Sequence, residues 1–214
     1  MPTTAAVMKG YEQMLLQHTP PSSLNIPVTE IVIFKLAHDR TPQTTAAIEQ
    51  DFLANSAKGE GVNRTAWGYS LDDPRTVVIM FDWRKIQDHW AFWQTPAFEP
   101  VIKCIETVFE PGRPLVRHYK LDPVGMAGDE YVQVMVWDED QGQEERGKAE
   151  MEGKVKSKGQ NWKSRNGGFA VDMNETTWYC ALLGYPSEAA AREDGIEAKG
   201  ASHLVKFTYI RRKE

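Results

Sequence analysis

The feature that most constrains the fold is a motif that occurs twice, about 100 residues apart. Residues 68–72 read GYSLD and residues 168–172 read GFAVD. Each copy is followed by turn residues and then by a segment rich in residues that favour β-strands. This period is too long for a solenoid, so the motif predicts one small α/β unit that was duplicated and fused.

The similarity extends to both sides of the motif. Residues 115–117 (LVR) correspond to residues 204–206 (LVK), near the end of each half. Near the start of each half, alternate residues match in the same register: Glu30, Val32, Phe34 and Leu36 with Glu130, Val132, Val134 and Val136.

The order of predicted elements is the same in both halves. Strands are predicted from alternation and turn residues, and helices from their caps and from proline and glycine stops. Each half then has the order βαββαβ, which is the ferredoxin-like arrangement. The first half has strands at 29–36, 65–71, 76–83 and 115–121 and helices at 42–58 and 85–109. Thr41 before Pro42 marks the start of the first helix, and the second helix is interrupted near Thr95-Pro96. The second has strands at 131–137, 168–171, 177–183 and 203–211 and helices at 145–158 and 187–199.

Both faces of the strand 76–83 are apolar. Val77, Ile79 and Phe81 point to one side, while Val78 and Met80 point to the other. Helices cover one face of such a sheet, and the sister sheet is the natural cover for the other. The sequence therefore predicts an α+β fold in which two tandem ferredoxin-like repeats pack sheet to sheet, as a dimeric α+β barrel within one chain. The predicted domains are an N-terminal helical extension (1–27), a first repeat (28–121) and a second, degenerate repeat (122–214).

Composition excludes several classes of partner. The net charge is -5 and the basic residues are scattered among acidic ones, which argues against nucleic-acid binding. No apolar run is long enough to span a membrane, and no secretory signal is evident, so we expect a cytoplasmic protein. Cys104 and Cys180 have no neighbour at metal-ligand spacing and are predicted to be buried free thiols. A homodimer is a further candidate assembly.

Two groups of aromatic residues suggest a ligand pocket in the first repeat. In the first group, Asn63, Trp67 and Tyr69 lie on one face of a strand, whereas the second repeat keeps only the apolar part of this row. In the second group, helical spacing brings His89, Phe92 and Trp93 together. Planar walls with a few polar groups suit a flat apolar ligand, although both groups are also typical of core packing. The full second group is Trp83, His89, Trp90, Phe92, Trp93 and Phe98.

The five histidines show no metal-binding spacing, so no metal site is expected. His38 follows the first strand and His89 lies in the aromatic helix, and either can act as a general base; a surface or structural role is the alternative. Arg117 and Tyr119 share a face of the last strand and could orient an anionic oxygen, with a structural ion pair as the alternative for the arginine. No phosphate-binding loop or nucleophile motif is present, so no cofactor is expected.

Several segments resemble antibiotic-biosynthesis monooxygenase-like (ABM-like) proteins of the dimeric α+β barrel superfamily. They are residues 28–36, 68–74 and 80–83, and a helix that contains Pro96-Ala97-Phe98. The resemblance covers most of residues 28–120. It implies enzymes that oxidise aromatic polyketides without metal or flavin, because the deprotonated phenolic substrate itself delivers electrons to dioxygen. It also implies a hydrogen-bonding asparagine four residues before a tryptophan, which Asn63 and Trp67 match, with Tyr69 and Arg84 as the nearest candidates for a tyrosine and an arginine.

The resemblance disfavours two related chemistries. Heme-degrading relatives need an axial histidine late in the second helix, where residues 101–103 offer none. Plant-type polyketide cyclases place a tyrosine and a histidine on that helix, where Phe92 and Phe98 stand instead.

We therefore expect a cofactor-independent monooxygenase of secondary metabolism that acts on a small aromatic or polyketide-like ligand. His38 or His89 is the expected base, and Asn63, Trp67 and Tyr69 are the expected hydrogen-bonding groups around the oxyanion. Two alternatives remain: a polyketide cyclase or lyase with the same pocket, and a non-catalytic binding or stress-responsive barrel. The expected substrate-binding residues are Trp83, Trp90, Phe92, Trp93, Phe98, Arg117 and Tyr119.

Overall fold

A computed structural model of the chain describes residues 13–211. The strands are β1 (Val28–Lys35), β2 (Val62–Tyr69), β3 (Thr76–Trp83), β4 (Leu115–Tyr119), β5 (Tyr131–Asp138), β6 (Ser164–Phe169), β7 (Trp178–Tyr185), β8 (Ala201–Lys206) and β9 (Thr208–Arg211). After short helical turns at 13–17 and Pro21–Ser23, helix α1 consists of Pro42–Ala47, a π-helical turn Ile48–Leu53 and Ala54–Ser56. The other helices are α2 (Ile86–Phe92), α3 (Phe98–Val108), α4 (Glu144–Lys158) and α5 (Glu188–Asp194).

The strands form two antiparallel sheets with equivalent order. The first sheet has the order β4-β1-β3-β2-β9 and the second has the order β6-β7-β5-β8. Apart from β9, each sheet places its first and third strands at the centre and its second and fourth strands at the edges, as the βαββαβ arrangement requires. The predicted fold class, two ferredoxin-like units packed as an α+β barrel, is confirmed.

Three apolar clusters account for the packing. Ile31, Val78 and Met80 of the first sheet meet Val134 and Leu182 of the second in a shared core between the sheets. A second cluster lies between the outer face of the first sheet and helices α1 to α3. A third lies on the outer face of the second sheet, against α4 and α5. The predicted two-sided burial of β3 is confirmed, since Val77, Ile79 and Phe81 belong to the helix-side cluster.

The repeated motif lies where the two sheets meet. A Cβ atom on Gly68 would collide with the Lys206 carbonyl oxygen, and one on Gly168 would collide with that of Lys120. At equivalent positions, the Leu71 N–H donates to the Leu204 carbonyl at 2.7 Å and the Val171 N–H donates to the His118 carbonyl at 2.9 Å. The motif therefore recurs because each glycine admits the last strand of the opposite unit.

The predicted alignment of the first strands of the two units, β1 and β5, is wrong by three residues. Gly68 pairs with Val78, which pairs with Ile33, whereas Gly168 pairs with Cys180, which pairs with Val136. Ile33 therefore corresponds to Val136, and the alignment of Phe34 with Val134 placed residues from opposite faces together. The equal spacing failed because the connection from the first strand to the motif is three residues shorter in the second unit (Val136 to Gly168) than in the first (Ile33 to Gly68). An odd shift exchanges the faces of a strand.

Helix boundaries depend on local signals that the sequence shows. Thr41 caps α1 by accepting a hydrogen bond from the Thr44 N–H at 3.0 Å, with Pro42 at the first helical position, as predicted. The predicted interruption of the helix 85–109 is confirmed, because Pro96 lies in the break between α2 and α3. This break lets both helices face the same region of the sheet.

The predicted strand 203–211 is divided between the sheets. β8 pairs with β5, and β9 pairs with the edge strand β2 of the first sheet. The predicted boundary at residues 121 and 122 falls in the link between β4 and β5. Of the predicted N-terminal helix, residues 13–17 are helical, and the earlier positions lie outside the described residues.

Other sequence expectations concern the membrane and the cysteines. Between residues 13 and 211, no helix has the length and apolar character that a membrane crossing requires. Cys104 and Cys180 are buried free thiols, which confirms the prediction. Burial, with a smaller contribution from Asp51, raises the pKa of Cys104 to about 11.

Candidate functional site

A cavity of about 210 Å³ lies between the outer face of the first sheet and helices α1 to α3. Most of its lining is aromatic or aliphatic, and Glu30, Ser56 and His89 are the polar residues in the wall. Such a site suits a small apolar ligand with one or a few polar groups. The lining residues are Glu30, Val32, Phe34, Phe52, Ser56, Phe81, Trp83, His89, Phe92, Trp93, Phe98, Val101, Ile105, Pro114 and Val116.

Glu30 and His89 are held in the wall by Trp83. The Trp83 indole Nε1–H donates to Glu30 Oε2 at 2.8 Å. The Trp83 ring stacks on the His89 ring, with centroids 4.7 Å apart. Glu30 comes from β1, Trp83 from the end of β3 and His89 from α2, so three elements position these side chains.

A line of hydrogen bonds runs from the cavity into the second unit. Trp93 Nε1–H donates to His89 Nε2 at 2.8 Å, and His89 Nδ1 lies 2.8 Å from His118 Nε2. His118 Nδ1 lies 2.8 Å from Asp172 Oδ2, in the repeated motif of the second unit. We call Trp93, His89, His118 and Asp172 the histidine relay.

The donor at one end of the relay determines the tautomers along it. Because an indole N–H can only donate, His89 Nε2 accepts and the neutral His89 ring carries its proton on Nδ1. His89 Nδ1–H therefore donates to His118 Nε2, and His118 Nδ1–H donates to the Asp172 carboxylate. All hydrogen bonds of the relay thus point away from the cavity.

Burial and the neighbouring charges separate the proton affinities of the two histidines. Burial, with the nearby His118, lowers the pKa of His89 well below its ordinary value of 6.5. Burial acts in the same direction on His118, but the charge of Asp172, its hydrogen bond and Glu30 together raise the pKa of His118. Burial also raises the pKa of Glu30, against the opposing effects of His118 and the Trp83 hydrogen bond. An extra proton in the relay is therefore most stable on His118.

Glu30 also lies close to both histidines. Glu30 Oε2 is 3.5 Å from His89 Nδ1 and 4.0 Å from His118 Nε2. One ligand atom from each of the three residues falls within a 4.8 Å range, a grouping that can hold a metal ion. The expectation of no metal site relied on spacing along the chain, which cannot detect ligands from two strands and a helix.

The second unit lacks this group of side chains. By strand pairing, Gln133 opposite Leu204 corresponds to Glu30 opposite His118. Ser187 precedes α5 as Lys85 precedes α2, so Ala191 corresponds to His89. The equivalent positions of the second unit therefore carry no carboxylate and no histidine.

Five of the residues predicted from the sequence lie together in the cavity wall: Trp83, His89, Phe92, Trp93 and Phe98. Trp90, on the same helix, does not line the cavity. It is 1% exposed and belongs to the helix-side core.

The other predicted catalytic residues lie elsewhere. Asn63 is exposed, because a bulge between Val62 and Arg64 removes it from the row of Trp67 and Tyr69. Trp67 and Tyr69 pack edge to face in the core, and Tyr69 Oη is 2.9 Å from Thr45 Oγ1. His38 is exposed and does not line the cavity.

Arg117 and Tyr119 do share a face of β4, but it is the face turned away from the cavity. Arg117 Nε lies 2.8 Å from Glu175 Oε2, and Tyr119 is buried in the core between the sheets. Neither residue therefore lines the cavity, because alternation along the strand directs His118 to the cavity side instead.

Sequence reasoning did not single out Glu30, His118 or Asp172 as site residues. Two signals pointed to them: Glu30 is the only acidic residue of β1, and Asp172 belongs to the repeated motif. Pairing of Glu30 with His118 across β1 and β4 brings the two together, and that register is decided by the tertiary structure.

Comparisons with known proteins support the fold. No protein-family model and no curated protein matches the chain. An anthrone oxidase-like protein aligns at a TM-score of 0.64 and 13% identity, over 88% of this chain and 94% of that one. A proposed monooxygenase from Fusobacterium nucleatum subsp. nucleatum ATCC 25586 aligns at a TM-score of 0.60 and 10% identity, over 87% of this chain and 95% of that one. A second proposed monooxygenase, from Lactobacillus acidophilus NCFM, aligns at a TM-score of 0.57 and 9% identity, over 87% of this chain and 97% of that one. The chain thus has the α+β barrel fold of these monooxygenase-like proteins.

Proposed function

We propose that the protein is a cofactor-independent monooxygenase that oxidises a small aromatic or polyketide-like substrate in the cavity of the first unit. The observation that carries this proposal is the histidine relay, which starts at the cavity wall and ends at a buried carboxylate. The names of the structural neighbours agree with an oxygenase on this fold. At their low identities they support the fold rather than the reaction.

His89 is the base in this proposal. A substrate hydroxyl or acidic C–H group takes the place of the Trp93 N–H at His89 Nε2 and transfers its proton there. His89 Nδ1–H then passes its own proton to His118 Nε2. The imidazolium forms on His118, close to the carboxylates of Asp172 and Glu30, and His89 is neutral again with a proton on Nε2.

This transfer leaves the substrate anion beside a neutral hydrogen-bond donor in an apolar site. Low polarity favours a delocalised aromatic anion over a localised one, and the walls keep bulk water from the reacting atoms. The anion then reduces dioxygen. For an anthrone-type substrate, the ring CH₂ group becomes a carbonyl, one oxygen atom of O₂ enters that carbonyl and the other leaves as water.

The size of the cavity limits the substrate. Pockets for drug-sized ligands measure roughly 300–1,000 Å³. At about 210 Å³, this cavity favours a compact aromatic molecule, or one whose remaining part extends through the open side.

The experiment that tests the proposal is oxygen uptake by the purified, chelator-treated protein with an anthrone-type phenol. The expected result is one O₂ consumed per quinone formed, and a loss of about 10²- to 10⁴-fold in kcat/KM in His89→Gln. Lys103→Ala, an exposed change on α3, is the matched control and should retain activity. Substrate turnover without oxygen uptake would instead indicate the cyclase or lyase reaction. Equal rates for His89→Gln and the control would refute the role of the relay.

A further inference from the structure

We propose that Glu30, His89 and His118 form a binding site for one divalent transition-metal ion. The ligand atoms are Glu30 Oε2, His89 Nδ1 and His118 Nε2. Binding itself depends only on the geometry and charge of the site, and not on the proposed oxygenase reaction.

The three ligand atoms are nearly at metal-binding distances from one another. Zn²⁺ binds imidazole nitrogen and carboxylate oxygen at about 2.0–2.2 Å, which places tetrahedral ligands about 3.4 Å apart. Glu30 Oε2 already lies 3.5 Å from His89 Nδ1. The 2.8 Å contact between the histidines must lengthen as a cation replaces the shared proton, and the 4.0 Å distance from Glu30 Oε2 to His118 Nε2 must shorten.

The charge of the site matches a dication. The side chains of Glu30 and Asp172 are only 6% and 5% exposed, so two carboxylates are buried around one pair of histidines. Buried carboxylates require compensating positive charge. One divalent ion between neutral histidines supplies it. Two imidazoles with one carboxylate favour Zn²⁺, Fe²⁺ or Co²⁺ over Mg²⁺ or Ca²⁺.

Residues around the ligands already have the supporting arrangement of a metal site. Asp172 accepts the hydrogen bond from His118 Nδ1, as carboxylates do for metal-binding histidines. Trp83 orients the Glu30 carboxylate through its indole N–H. Because Glu30 and His89 line the cavity, the ion would lie just behind the cavity wall.

One contact opposes the metal. If His89 Nδ1 binds a cation, the neutral ring carries its proton on Nε2, and Nε2 can no longer accept from Trp93. Trp93→Phe removes this competing donor while keeping an aromatic ring in the wall. We therefore expect the variant to bind the ion about 2- to 10-fold more tightly, the equivalent of one ordinary hydrogen bond.

Proton transfer and metal binding exclude each other, because both need the His118 Nε2 lone pair. In the metal-bound form His89 Nε2 also carries a proton and cannot accept one from a substrate. A cation bound to His89 Nδ1 and His118 Nε2 interrupts the relay at its centre. Under the proposed function, the bound ion is therefore an inhibitor of turnover. This consequence rests on the oxygenase proposal, whereas the binding does not.

The test is a titration of the full chain with Co²⁺ after chelator treatment, followed by visible absorption and calorimetry. We expect one ion per chain, the ligand-field bands of Co²⁺ with nitrogen and oxygen ligands, and binding weakened at least about 10-fold in His118→Gln. His203→Gln changes a partly buried histidine outside the site and should bind as the wild type does.

Three outcomes would overturn the metal site. They are the absence of Co²⁺ binding to the wild type, equal binding to His118→Gln, and Trp93→Phe binding no more tightly than the wild type. The last comparison remains decisive if His118→Gln fails to fold. The oxygenase proposal is judged separately, by oxygen uptake of the metal-free protein.

Discussion

His89 Nδ1 lies 2.8 Å from His118 Nε2, although the residues are 29 positions apart on a helix and a strand. Both side chains are buried, and the next partner in the line, Asp172, belongs to the other unit. The cavity of the first unit is therefore linked to a carboxylate of the second. The duplication thus does more than build a shared core, because the second unit completes the candidate site of the first.

Asp172→Asn tests this link. The amide keeps the shape but removes the charge that raises the pKa of His118, so the relay holds an extra proton less well. Under the oxygenase proposal, we expect kcat to fall about 10- to 100-fold, less than for loss of the base itself. Oxygen-uptake kinetics measure the effect. Asp72→Asn is the matched control, because Asp72 holds the same position in the first copy of the motif but bonds Leu204 and Arg192. Equal losses in both variants would contradict the link.

His89 makes the protein less stable in acid. Its pKa is lowered on folding, so below about pH 6.5 the unfolded chain takes up a proton that the folded chain does not. The free energy of unfolding therefore falls as the pH decreases through that value. His89→Gln lacks this penalty. The variant's loss of unfolding free energy relative to the wild type, measured by urea denaturation, should therefore shrink from about pH 7 to about pH 5. A loss that stays constant over this range would argue against the lowered pKa.

His118 has the opposite effect. Its pKa is raised on folding, so its stabilising contribution is complete below the unfolded value of 6.5 and is lost as the pH rises through the folded value. The unfolding free energy that His118→Gln loses relative to the wild type should be larger at about pH 6 than at about pH 9. Urea denaturation at the two pH values provides the measurement. A deficit that grows with pH would show that the Asp172 contact does not favour the charged ring.

Val101→Phe should fill the cavity without disturbing the relay. Val101 lines the cavity from α3, and the added ring atoms occupy space that a ligand needs. Overpacking costs about 1–3 kcal/mol of stability at most positions, so the fold should survive while ligand affinity drops at least about 10-fold. Binding of an anthrone-type phenol, followed by tryptophan fluorescence, is the measurement. Lys103→Phe adds the same ring at an exposed position of α3 and should bind as the wild type does.

Gly68→Ala and Gly168→Ala should both weaken the contact between the sheets. Each new methyl group meets a backbone carbonyl of the opposite unit, and backbone cannot move aside as a side chain can. We expect losses of about 1–3 kcal/mol in the free energy of unfolding. Gly153→Ala is the control, since no described atom beyond its own helix backbone and chain neighbours lies within 4 Å of a Cβ there. At this exposed position of α4 it should stabilise by about 0.5–1 kcal/mol. Neutral changes at both motif glycines would show that the motif recurs for another reason.

Much of the fold could be predicted because its signals are local. The cap at Thr41, the break at Pro96 and the alternation of Val77, Val78 and Ile79 each depend on near neighbours in the chain. The repeated motif added the long-range information that two units pair. The aromatic wall around His89, Phe92 and Trp93 was also predictable, because helical spacing alone places these residues side by side.

The relay could not be predicted in the same way. Asn63 was placed with Trp67 by strict alternation, and one bulge moved it out to solvent. Arg117 and Tyr119 were predicted to bind the substrate and His118 was not. The pairing of β1 with β4 turns only His118 of these three toward Glu30. A shift of one residue along a strand reverses its faces, so small errors in register exchange core and site residues.

The sequence by itself determined the duplicated βαββαβ architecture and the aromatic character of one unit, because periodicity, caps and turn residues act over a few residues. Only the tertiary structure decided that Glu30, His89, His118 and Asp172 meet. They come from β1, α2, β4 and the turn after β6, and their meeting depends on strand register and on the closure of one sheet against the other. Contacts of that kind are set by the packing of the whole chain, and no spacing between residues records them.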